Sequence, residues 1–185
     1  ECKITLRGMK YNSDCSKKIL WNTKRTITFL KNKVTPDANG FEIDFSQVEN
    51  IEPVSVINRN TPVENGWNLK DGYLTVGYQG TGNTYENDVH SDALLFLDLT
   101  KSNISNLTFG LEYDTEAFYD FIDIFITCGN ERKQLFRGSG IQGMTTYNYD
   151  ISGFAGKDNV AIHFLFTSDQ SVKYPGVSLS NILLK

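Results

Sequence analysis

The sequence predicts an all-β fold, an antiparallel jelly-roll β-sandwich, and three observations lead there. Val, Ile, Thr, Phe, Tyr and Trp, the residues that suit a pleated, half-buried surface, make up 63 of 185 residues, against five Ala. Fifteen Gly and 17 Asn supply turn chemistry. Apolar and polar residues alternate along many short segments, and no helical spacing intervenes.

Charge divides the chain near residue 33. Residues 1–33 hold nine Lys and Arg against Glu1 and Asp14, a net of +7, and the remainder carries −11. The basic segment contains the strand-like pieces Lys3–Arg7 and Arg25–Leu30, so it reads as an ordered unit. Its lysines either face water or form an electrostatic arm for an acidic partner. Lys33–Gly40, with Pro36 and Asn39-Gly40, reads as the boundary, which places a basic strand-containing segment at 1–33 and the sandwich at 34–185.

Within the second unit, Phe41–Phe45 alternates strictly, with apolar residues at 41, 43 and 45 and acids between them, and is a strand with one buried face. Further strands are expected at Tyr73–Tyr78, Leu94–Leu99, Leu107–Tyr113, Phe121–Cys128, Gln134–Phe136, Tyr147–Ile151, Val160–Thr167 and Val177–Leu184. Turn residues separate them, among them Lys70-Asp-Gly72, Cys128-Gly-Asn130 and Gly138-Ser-Gly140. Ile51–Leu69, with Pro53, Pro62 and Gly66, is expected to be a surface loop. Strands at this spacing form two packed antiparallel sheets.

Several function classes lack support. A net charge of −4 disfavours a uniformly basic nucleic-acid binder, and the basic segment has little aromatic interleaving beyond Tyr11 and Trp21. The longest apolar run, Ala93–Leu97, is far short of the roughly 20 residues of a membrane-spanning helix. The opening residues carry no apolar h-region, so any secretion signal is expected to lie outside this sequence. Three cysteines without C-x-x-C spacing disfavour a zinc knuckle or a thioredoxin-like motif. A Cys2–Cys15 bridge and two free thiols both fit the spacing, and Cys128 is expected as a small buried hydrophobe. No Walker loop, G-x-G-x-x-G or H-E-x-x-H occurs.

The order of motifs is more specific than any one of them. It runs from Gly40–Phe45 through Gly66-Trp67, Asp71–Leu74, Ser91–Leu95, Tyr119-Asp120, Ile124–Thr127 and Tyr149–Lys157 to Val160–Asp169 and Gly176–Leu184. Across residues 40–185 this resembles the jelly-roll accessory domains of secreted bacterial peptidases, of the immune-inhibitor-A-like and subtilisin-like kinds, and more distantly MAM domains. The resemblance implies a non-catalytic domain of a secreted multidomain protein. Such a domain binds substrate or surface, or stabilises its parent, and its partners are the parent catalytic domain and a protein or polysaccharide substrate. It also implies a structural calcium site between the first and last strands. Here the acidic pair that the family's last strand carries is replaced by Ser180 and Asn181, so the ligands would be Glu42, Asp44 and Asn181.

Binding is better supported than turnover. Trp67, Tyr78, Tyr85, Tyr147, Tyr149 and Tyr174 lie near turns, where rings either stack on sugar faces or pack at the rim of a core. Trp67, Tyr85, Tyr147 and Tyr174 are the candidate ligand-binding residues, and a carbohydrate-binding module is the alternative to the accessory domain. No catalytic residue is assigned. Asn87–Asp92 contains Asp, His90 and Ser, but neighbours on an extended chain point apart and no nucleophile elbow frames them. His163 falls opposite the apolar set of its strand and reads as a satisfied structural histidine. Asp114–Asp120 with Asp123 offers carboxylates of glycosidase type, yet Asp120 is expected to hold backbone beside the next strand. Asn103-Ile-Ser105 and Asn106-Leu-Thr108 are glycan acceptor sequons, relevant only in a host that glycosylates.

Overall fold

The computed structural model describes residues 33–78 and 84–185 and the backbone of 2–11 and 17–27. The chain forms two compact units, Glu1–Lys31 and Asn32–Lys185. In the first, β1 (Cys2–Tyr11) and β2 (Lys17–Ile27) pair antiparallel, with a register shift between Gly8 and Met9. Of the expected strand at Arg25–Leu30, Arg25–Ile27 belong to β2, and residues 28–30 lie outside the described residues. Cys15, and with it the Cys2–Cys15 bridge, lies outside the described residues.

The second unit is the sandwich. Its strands are β3 (Phe41–Asp44), β4 (Ser55–Asn58), β5 (Asn68–Lys70), β6 (Tyr73–Gly77) and β7 (His90–Leu97). They continue with β8 (Asn106–Asp114), β9 (Phe121–Cys128), β10 (Glu131–Gly138), β11 (Ile141–Asp150), β12 (Val160–Thr167) and β13 (Gly176–Leu184). A five-stranded sheet has the order β10–β9–β12–β7–β4. A six-stranded sheet has the order β11–β8–β13–β6–β5, and β3 also pairs with β13. All ladders are antiparallel, and from β6 to β9 and again from β10 to β13 the chain changes sheet at every step, in jelly-roll fashion. No α-helix occurs among the described residues, and no helix there is long and apolar enough to cross a membrane.

Alternation decides what is inside. In β12, Val160, Ile162, Phe164 and Phe166 are fully buried, as are Leu107, Phe109 and Leu111 of β8 and Ile122, Ile124 and Ile126 of β9. Burying each such side chain contributes about 1.5–3 kcal/mol. The sheets interlock through Phe109, whose ring meets Phe164 edge-on at 5.6 Å.

Strand β13 is long enough to serve two partners on one side. Val177–Leu179 pairs with β6, and Asn181–Leu184 pairs with β3. Where the first ladder begins, Gly77 and Gly176 face each other with φ of 81° and 121°, and a Cβ on Gly176 would lie 2.0 Å from the Val76 carbonyl oxygen. Only glycine allows this approach. The β5–β6 hairpin turns on Asp71-Gly72, both at positive φ, as a two-residue turn requires.

One expectation is overturned in the fold. Ile51–Leu69 is not a featureless loop, because it contains β4, paired with β7, and a 3-10 turn at Val63–Asn65. The strand is four residues long and sits at a sheet edge, between the prolines that signalled a loop.

Candidate functional site

Four cross-strand partners build a polar row on the outer face of the six-stranded sheet. Glu112 of β8 lies opposite Ser178 of β13, Ser178 opposite Thr75 of β6, and Thr75 opposite Asn68 of β5. The buried neighbours Leu74, Val76, Leu111, Val177 and Leu179 face the core, so the row lies on the opposite side of the sheet, where Thr75 and Ser178 are themselves buried at its floor. Thr75 donates to the Val177 carbonyl at 2.8 Å, and the Ser178 hydroxyl lies 3.4 Å from that of Thr75, which makes a floor of fixed hydroxyls.

Above that floor is a groove of about 200 Å³ lined by Lys70, Asp71, Tyr73, Thr75, Tyr78, Glu112 and Ser178. Tyr73 is 38 % exposed. Tyr78 is placed by a left-handed backbone (φ 49°), by its N–H donating to Pro175 at 2.8 Å, and by Lys70 donating to its carbonyl. Burial, then the Glu112 and Asp114 carboxylates, push the Tyr78 phenol up from its ordinary value, so it stays a hydrogen-bond donor. The groove therefore offers a carboxylate, a phenol and one partly exposed ring over a floor of internally bonded hydroxyls.

The aromatic residues expected to bind ligand are elsewhere. Trp67 is 2 % exposed, and its indole N–H donates to the Ser91 carbonyl at 3.1 Å. Tyr85 is 1 % exposed, its ring edge-on to Phe166 and its hydroxyl donating to Asp120. Neither ring can stack on a ligand, and both are core. Tyr147 is half-buried, stacked on Phe109 at 5.6 Å and tilted on Phe136 at 4.8 Å. Tyr174 is half-buried against the same core. These two pack at its rim.

The expected calcium ligands have local partners. Asn181 lies opposite Asp44, but Glu42 lies opposite Leu183, and the Asn181 side-chain oxygen accepts from the Gly110 N–H at 3.1 Å and the Ser180 hydroxyl at 3.0 Å. One Asp44 oxygen accepts from the hydroxyl and N–H of Ser46, which hold that carboxyl below its ordinary value. Acids converge at the loops instead, where Glu116, Asp120 and Asp169 place oxygens within 4.8 Å of one another. Asp120 accepts from the Tyr85 hydroxyl and the Asp169 N–H, Glu116 from Ser171, and Asp169 from the N–H and hydroxyl of Ser171. No orphaned buried polar atom belongs to these three. These contacts hold Asp120 and one oxygen each of Glu116 and Asp169, and the expected set is not brought together, because Glu42 faces Leu183 while Asp44 faces Asn181. Burial dominates Asp120 and raises its carboxyl from the ordinary value. Its partners hold a tyrosine and a loop amide, the backbone-holding role expected of it, though the amide is that of Asp169.

The five-stranded sheet carries a different outer face. Ser91 points inward under Trp67, so His90 and Ser91 do not meet as catalytic partners. Asp92 instead accepts from His163 Nδ1 at 2.8 Å, and the Thr127 hydroxyl lies 3.0 Å from Nε2. This is the order of a hydrolase relay, but Thr127 is in the middle of the sheet, with ladders on both sides that take the backbone N–H groups an oxyanion would need. The Phe125 ring lies flat on the imidazole at 4.3 Å and carries the Arg132 guanidinium 3.7 Å from its centroid. Asp123 pairs with Arg137 at 3.1 Å rather than with Asp120. Cys128 is half-buried, its thiol 3.4 Å from the Asp158 carbonyl.

No family model matches the chain, and neither does any curated protein. Among solved structures it is similar to the K1 cleaved adhesin domain of Lys-gingipain from Porphyromonas gingivalis W83, with 16 % identity, 78 % of this chain and 96 % of that one covered, and a TM-score of 0.49. It is also similar to TmCBM61 in complex with β-1,4-galactotriose, with 8 % identity, 74 % and 90 % covered, and a TM-score of 0.48. A third is the family 11 carbohydrate-binding module of the Clostridium thermocellum cellulase Lic26A-Cel5E, with 15 % identity, 80 % and 95 % covered, and a TM-score of 0.44. Likeness at these identities carries no residue-by-residue correspondence.

Proposed function

We propose that the sandwich is a non-catalytic binding domain and that it takes a glycan in the groove on its six-stranded face. The observation that supports this is the row Glu112–Ser178–Thr75–Asn68 beneath Tyr73 and Tyr78. Sugar hydroxyls both donate and accept, and the groove offers the Glu112 carboxylate to accept and the Tyr78 phenol to donate, above a floor of buried hydroxyls already bonded within the protein. The apolar face of a pyranose suits a partly exposed ring such as Tyr73. An accessory place beside a secreted peptidase is compatible with this reading and is supported only by the motif order from Gly40 to Leu184.

Affinity electrophoresis of the full chain through gels containing soluble polysaccharides tests it. Retardation by at least one polysaccharide is expected, with affinity reduced about tenfold or more in Tyr73→Ala and Glu112→Gln, as loss of a stacking ring or a charge-assisted hydrogen bond implies. Free migration in every polysaccharide contradicts it.

A further inference from the structure

The two strands that close one side of the sandwich differ in how they meet solvent. β10 ends the five-stranded sheet and β11 ends the six-stranded one, and they are neighbours: Phe136 packs on Tyr147 at 4.8 Å and Lys133 donates to the Asp150 carbonyl at 2.9 Å. β10 is protected as an edge strand usually is, with Glu131, Arg132, Lys133 and Arg137 among its eight residues. β11 has no charged residue and no proline from Ile141 to Tyr149, and among the described residues it pairs only with β8. Its register shift with β8 lies between Gln142 and Thr145, so Thr145–Tyr149 is regular strand with one side unpaired.

We infer that a second copy of this chain adds to that edge, antiparallel, across a two-fold axis at Tyr147. Three observations select a copy as the occupant. Paired antiparallel with itself about Tyr147, the run places Thr146 opposite Asn148 of the copy and Thr145 opposite its Tyr149, so no like charges meet. Tyr147 and Tyr149 flank Phe109 at 5.6 and 5.9 Å yet stay half-buried at the open edge, and a copy of the same strand continues that row of rings. A net charge of −4 on the whole chain leaves little long-range repulsion between copies at physiological salt. Such a contact is small, so the dimer is weak and depends on concentration.

Sedimentation of the full chain over a wide concentration range is expected to show its mass doubling, with the amides of Thr145–Tyr149 gaining hydrogen-exchange protection over the same range. Thr146→Lys with Asn148→Lys sets lysines opposite each other twice and moves the association midpoint up by about tenfold or more. Thr146→Glu with Asn148→Glu does the same, and an equimolar mixture of the two variants restores the dimer. Both positions are exposed, so the thermal midpoints stay near that of the parent protein. A parent protein that stays monomeric to its solubility limit overturns the inference. So does a dimer indifferent to the lysines, a mixture that fails to associate, or a monomer that instead binds a peptide of residues 141–150.

Discussion

The outward faces of the two sheets use similar residue types to opposite ends. On the five-stranded face a chain of side chains meets one another, Arg132 over Phe125, Phe125 on His163, His163 on Asp92 through Oδ2, and Arg137 on Asp123, with Asp92 Oδ1 left unpaired among the described residues. On the six-stranded face Glu112 makes no hydrogen bond or ion pair among the described residues, and Tyr73 is 38 % exposed, whereas Phe125 is 6 % exposed. A ring with both faces covered stabilises the fold and has nothing left for a ligand. Unpartnered groups such as Glu112 and a partly exposed Tyr73, rather than aromatic content, are what distinguish the face proposed to bind.

The interlocked side chains of the five-stranded face should carry stability rather than binding. Phe125→Ala removes a ring that touches both Arg132 and His163, and it should cost about 3 kcal/mol in chemical denaturation while leaving glycan affinity unchanged. His163→Ala leaves the Asp92 carboxylate, 17 % exposed, without its imidazole, and should cost about 1–3 kcal/mol by the same measurement. If either variant keeps full stability, the face is not self-sealing.

The acids at the loops make stability depend on pH in two opposite directions. The folded-state pKa of Asp120 is raised, so its favourable contribution is complete below the unfolded value of 3.8 and is lost as pH rises through the folded value. Asp44, Asp98 and Asp150 are lowered by their hydrogen bonds to Ser46, Thr100 and Ser152, and their contribution runs the other way, fading as pH falls through their folded values. Asp120→Asn keeps an amide oxygen for the Asp169 N–H but sets an NH2 against the Tyr85 hydroxyl, so it should cost about 1 kcal/mol, and stability measured across the acid range should lose the part of its decline above pH 3.8 that Asp120 supplies. The smallest effect on stability is expected on the open face, where Tyr73→Ala should change unfolding by less than about 0.5 kcal/mol even though it weakens glycan affinity about tenfold or more.

The sheet architecture was legible because alternation reports burial directly. Phe121–Cys128 and Val160–Thr167 are strands with the bounds their alternation predicts. β4 was not legible, since four edge residues between prolines carry too little pattern. Trp67 and Tyr85 were misread because proximity to a turn says nothing of which way a ring points, and both turn inward to partners far along the chain, Ser91 and Asp120. The polar row was half legible. The alternation in Tyr73–Val76 and Leu107–Tyr113 puts Thr75 and Glu112 outward, but their common face depends on the order β8–β13–β6–β5, which no local pattern encodes.

The most direct test is a titration of isotope-labelled protein with an oligosaccharide from the polysaccharide that retards it most, followed by backbone amide shifts. Shifts concentrated at Tyr73, Thr75, Glu112 and Ser178, with Phe125, Arg132 and His163 unmoved, are the predicted result. Shifts centred on Phe125, Arg132 and His163 would contradict the assignment of the binding face.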